Sequence, residues 1–144
     1  MRVFSISTLS PLAAAIALAV SGAYSSIAMG ADVKVTLGGD QENPPVTTMA
    51  KGSGTVMIGD DGSVKGSITT TGVTATAAHI HMAAMGKNGP VIVPMVKSGD
   101  SGFGFAPDAK LNADQMKAFK AGELYINVHS AANPGGELRG QLKP

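Results

Sequence analysis

Three histidines occur in this sequence. Two stand one residue apart in "AHIHM" (Ala78 to Met82), and the third closes "LYINVH" (Leu124 to His129). Imidazole nitrogens ligate copper, zinc, nickel and iron. Side chains at i and i+2 of a strand leave from one face with Cα atoms roughly 6.5–7 Å apart, a span that two rings can close around one ion. Alternation sends Ala78, Ile80 and Met82 toward a core and His79 and His81 away from it. In the later segment Leu124, Ile126 and Val128 take the core face, so Tyr125, Asn127 and His129 take the other. If the two strands are neighbours, the three rings converge. A three-imidazole set without a fixed fourth ligand leaves a position open to water or substrate, as reactive metal sites do. The Irving–Williams order puts Cu(II) ahead of zinc at such nitrogens. The competing reading is a set of ordinary surface histidines.

Two further side chains bear on that chemistry. Met85, in the loop after the pair, is within reach of a soft Cu(I) ion, whereas Met82 faces the core; the competing and favoured reading is that both simply pack. In "ELRGQL", Glu137, Arg139 and Gln141 share the face opposite Leu138 and Leu142. Beside a cationic metal, Arg139 would attract and hold a small anion; otherwise it is solvated, or paired with Glu137 or Asp40.

Composition narrows the chemistry. Cysteine and tryptophan are absent from the 144 residues, so thiolate sites, disulfides and cysteine nucleophiles are excluded. The first 30 residues carry one charge, Arg2, then the apolar run "LAAAIALAV" and the small-residue stretch "SSIAMGA". That run is too short for a membrane span of roughly 20 residues and reads as an export signal, cleaved near Ala28 or Gly30. Residues 1–30 are thus assigned to a signal peptide and 31–144 to one periplasmic or secreted domain. Without Arg2, ten basic side chains face ten acidic ones, with no cluster of either sign. Nucleic acid and membrane surfaces are therefore not expected as partners, while a homodimer stays open.

The elements that must position the histidines are short β-favouring runs punctuated by Gly, Asp, Asn and Pro. "VKVTL" alternates as a half-buried strand, and "GTVMI" and "VKGSITT" flank "GDDGS", where Asp61 and Gly62 suit the positive φ angles of a tight hairpin. "VIVPM" carries Pro94, which marks an edge or bulged strand. "NADQMKAFKAG" reads as a short helix with Asn112 as N-cap, Gln115 completing a capping box and Gly122 as the stop. The expected fold is all-β, a Greek-key antiparallel sandwich or flattened barrel of about seven or eight strands with one short helix.

Three blocks, "LGGDQENPPV", "TAAHIHMAAMGKNGPVIVPM" and "LYINVHSAANPGGELRGQL", resemble in order and spacing the signature segments of the CHRD domain, the module also found in chordin. The resemblance covers nearly all of 31–144 and implies an exported all-β domain, without fixing an activity. A weaker similarity is to copper-zinc superoxide dismutases, with their H-x-H pair on a strand, later strand histidine and C-terminal arginine. It implies His79, His81 and His129 as copper ligands and Arg139 as the anion-guiding group, with superoxide as the small anion. The chain departs from that family in lacking a disulfide pair, a histidine to bridge to zinc and a zinc loop, so only a copper site is implied. In "DQENPPV" and "NPGGE" the prolines and Gly135–Gly136 serve turns, and either block could also form a rim near the histidines. Three functions follow as expectations: a copper-dependent superoxide dismutase, a non-catalytic copper storage or transfer protein, and a metal-free protein-interaction module. No G-x-S-x-G or H-E-x-x-H stretch supports a hydrolase.

Overall fold

The computed structural model describes residues 30–144, so the expected export signal lies outside the described residues. Among the described residues, nine strands form two antiparallel sheets. They are β1 (Ala31–Leu37), β2 (Lys51–Ile58), β3 (Val64–Thr71), β4 (Ala75–Met82), β5 (Val91–Pro94), β6 (Val96–Ser98), β7 (Gly102–Gly104), β8 (Leu124–Ser130) and β9 (Leu138–Leu142). One sheet runs β1-β2-β3-β7-β6 and the other β5-β4-β8-β9. The molecule is therefore an open sandwich rather than a closed barrel. The two strands with no counterpart among the seven runs read from the sequence are β6 and β7, whose three residues each are too few to show an alternating pattern.

The core lies between the sheets, where the alternating apolar residues meet. Val33, Val35 and Leu37 of β1, Val56 and Ile58 of β2 and Ile68 of β3 face Ile80 of β4, Ile126 and Val128 of β8 and Leu138 and Leu142 of β9. Full burial of each such side chain stabilises the fold by roughly 1.5–3 kcal/mol, which holds this small domain together without disulfides. The β2–β3 hairpin forms as the sequence indicates, but Gly62 alone takes a positive φ, +84°, and Asp61 instead accepts a hydrogen bond from the Ser63 amide through its carboxylate. The helix α1 (Ala113–Lys120) carries the full capping box between Asn112 and Gln115, packs Phe119 into the core and gives way to Gly122 at φ +73°.

The four-stranded sheet positions the histidines. β4 is paired with β8 on one side and with the edge strand β5 on the other, and its register with β5 shifts between Ile80 and His81, so the Pro94 strand is both an edge and irregular. Register places His79 opposite Asn127 and His81 opposite Tyr125, while β8 in turn sets Asn127 opposite Arg139 and Tyr125 opposite Gln141.

Candidate metal centre

His79 and His81 leave β4 on the face away from the core, and His129 leaves β8 on the same face, so neighbouring strands bring the three rings together. One ring nitrogen from each lies within 4.8 Å of the others. His79 Nδ1 and His129 Nε2 are 3.1 Å apart. Nitrogens about 2.0–2.1 Å from one ion at tetrahedral angles sit roughly 3.3 Å from each other, so one edge of the triangle already has ligand spacing.

Backbone carbonyls fix which nitrogen two of the three rings offer. His81 Nδ1 donates to Gly89 O at 2.9 Å and His129 Nδ1 donates to Pro134 O at 2.9 Å, since a carbonyl only accepts. Each Nε2 therefore carries the free lone pair. A carbonyl partner on the non-ligating nitrogen is the arrangement that orients metal-binding histidines. His129 Nε2 accepts a hydrogen bond from His79 Nδ1–H, so ligation through His79 Nδ1 requires that ring's proton to sit on Nε2 instead. His81 Nε2 is the only buried side-chain nitrogen or oxygen without a hydrogen-bond partner among the described residues. Leaving such an atom unsatisfied costs roughly 1–3 kcal/mol, a cost that a bound cation would remove. Burial is the largest influence on both β4 histidines and holds their pKa values below the ordinary imidazole value; the neighbouring rings push in the same direction. Both rings are neutral at neutral pH and free to coordinate.

The face carrying the histidines is only partly open: His81 is buried, while His79 and His129 are half-buried. Loop 83–90 lies across it. Arg139 is 1 % exposed and gives Nη1 to Lys87 O at 2.7 Å and Nη2 to Ala84 O at 3.1 Å and Gln141 Oε1 at 3.1 Å. It pairs with neither Glu137 nor Asp40 through those nitrogens. Gln141 Nε2 reaches Ala83 O at 3.0 Å, and the Gly89 amide donates to the Tyr125 hydroxyl at 3.1 Å. Tyr125 stacks on His81 with centroids 5.0 Å apart, and the Arg139 guanidinium carbon lies 3.6 Å from the Tyr125 ring centroid. Arg139, Tyr125 and Gln141 thus hold the loop whose Gly89 carbonyl orients His81. Alternation puts all three residues on the histidine face, but nothing local in the sequence marks the loop as their partner. Met82 packs against the core and Met85 is 62 % exposed in the loop.

The turn blocks build the rest of the rim. Asn127 Nδ2 donates to Glu42 Oε1 and to Leu138 O, the latter at 3.2 Å. Glu137 accepts from Ser130 Oγ and, at 2.7 Å, from Thr48 Oγ1. Gly136 has φ +134°, and a Cβ there would lie 2.5 Å from Asn127 Nδ2 and 2.7 Å from Glu42 Oε1, so this position needs glycine on both counts. A family model for the CHRD domain matches residues 33–142. No curated protein and no solved structure matches the chain.

Proposed function

The chain belongs to the CHRD-domain family, and on that premise we propose that it is an exported copper-binding domain whose ion is held by His79 Nδ1, His81 Nε2 and His129 Nε2. The observation that carries this reading is the buried, unpartnered Nε2 of His81 within a cluster whose other two ligand nitrogens are 3.1 Å apart. Imidazole-only ligation favours copper over zinc by intrinsic affinity, and neutral rings favour binding at neutral pH. The two protein carbonyls do the orienting: Gly89 O and Pro134 O each hold one Nδ1 proton and so aim the opposite nitrogen inward. Protein purified after export is expected to contain copper on elemental analysis and to show nitrogen-coordinated Cu(II) by electron paramagnetic resonance. His81→Ala is expected to lower Cu(II) affinity by more than the 10–100-fold typical of outer-shell changes. Copper retained with unchanged affinity in this variant would remove the assignment.

A second reading, copper-dependent superoxide dismutation, rests on the partial exposure of His79 and His129, which leaves one side of the cluster accessible. Copper, when bound, supplies the one-electron chemistry that converts two superoxide ions and two protons into dioxygen and hydrogen peroxide. In this reading Arg139 acts through its positive field alone, because Nη1 and Nη2 are committed to oxygens within the chain. Copper-loaded protein should then dismutate superoxide faster than the same amount of free copper. Equal rates would leave storage or transfer of the ion as the function.

A further inference from the structure

Beside the histidines lies a cleft of about 390 Å³ walled by the two turn blocks, Ala132 just before the second and Asn88 of loop 83–90, and Glu42 is the sole ionisable residue among the ten that line it. We propose that this cleft binds a primary ammonium group, as carried by a lysine side chain or a small free amine, with the Glu42 carboxylate as its counter-ion.

Glu42 is 8 % exposed, and its Oε1 is occupied by Asn127 Nδ2. No hydrogen bond among the described residues reaches Oε2. Since His81 Nε2 is the only fully buried side-chain polar atom without a partner among the described residues, Oε2 keeps contact with solvent, and Glu42 itself lines the cleft. Gly136, also in the wall, leaves room for the Glu42–Asn127 pair, because a Cβ at this position would collide with Glu42 Oε1 and Asn127. The carboxylate is largely withdrawn from water and held on one side by Asn127, and its second oxygen keeps the capacity to accept from a cation in the cleft. Desolvation indeed pushes its pKa up, opposed by Asn127 and by the charge of Arg139.

The surroundings select among cations. A guanidinium prefers two carboxylate oxygens in parallel, and here one is already taken. Calcium takes six to eight oxygens, usually from several carboxylates, and the cleft supplies one. Quaternary ammonium groups are held by aromatic faces, and no aromatic residue lines the walls. Phosphates and carboxylates would meet a lone negative charge. An ammonium is a compact point charge with three donors, and the one free carboxylate oxygen with neighbouring asparagine side chains suits it.

The test is an amide chemical-shift titration of the whole exported domain with n-butylammonium, using n-butanol as the neutral match and n-butylguanidinium and Ca²⁺ as competing cations. Saturable shifts at Gly135 and Gly136 with n-butylammonium, at least fivefold tighter than with any of the other three, are expected. Glu42→Gln should weaken that binding at least fivefold. If that variant does not fold, Ala132→Lys, an exposed rim position, should block free n-butylammonium by supplying a tethered amine. Acetyl-Gly-Lys-Gly-amide against its norleucine counterpart then distinguishes a lysine side chain from a free amine as the source. Shifts no stronger than those with n-butanol, or unchanged affinity in Glu42→Gln and in Ala132→Lys, would overturn the proposal.

Discussion

Arg139 shows how a residue's type can be read from sequence while its task is not. An arginine on the polar face of a C-terminal strand suggested anion attraction, but the folded chain uses Nη1 and Nη2 to tie down Lys87 and Ala84 carbonyls over the Tyr125 ring. The charge is thereby almost wholly buried, and its removal takes the donors from the Lys87 and Ala84 carbonyls. Arg139→Met keeps a long apolar stem but leaves those oxygens without donors. It is expected to cost about 1.5–3 kcal/mol in urea unfolding, the range for hydrogen bonds to charged groups. Copper affinity should fall as well, because the loop carrying Gly89 O loosens its hold on His81. Unchanged unfolding midpoints would show that the loop is held by other contacts.

At the level of elements, the return between β8 and β9 is the piece that joins the metal cluster to the cleft. Pro134 offers its carbonyl to His129, Gly136 walls the cleft, and Glu137 anchors the segment through Ser130 and Thr48. The hydrogen bonds from Ser130 and then Thr48 hold the Glu137 carboxyl below its ordinary value of 4.5. The unfolded chain therefore takes up this proton first as pH falls, so stability from Glu137 is present above pH 4.5 and is lost as pH drops through the folded-state pKa. The melting-temperature gap between the wild-type chain and Glu137→Gln should be widest near neutrality and narrow below pH 4.5. A gap that widens on acidification would contradict the assigned anchoring. The helix needed no tertiary help to be legible, since Asn112 and Gln115 are local partners. Strands β6 and β7 were illegible because three residues carry no period.

For the whole molecule, stability and metal binding should be one linked quantity. A ligand that binds only the folded state stabilises it by about 2.7 kcal/mol at one hundred times its dissociation constant. Three histidines drawn from two strands, 50 residues apart for His79 and His129, form a site only in the folded chain. Adding Cu(II) should therefore raise the melting temperature of the wild-type domain. The triple variant His79→Ala, His81→Ala, His129→Ala should show no such rise, and a similar rise in both would place the copper elsewhere.

The side chains' faces, the hairpin, the capped helix and the all-β class are legible in the sequence, because each depends on spacing between near neighbours. Strand alternation is enough to put His79, His81 and His129 on one side of their strands. The adjacency of β4 and β8, the passage of loop 83–90 over the face they share, and the meeting of Glu42 with Asn127 85 residues away arise in the folded chain alone. Those facts depend on how two sheets and their turns fold back on each other. Sequence periodicity records which face a side chain takes; it carries no record of what will lie across from it.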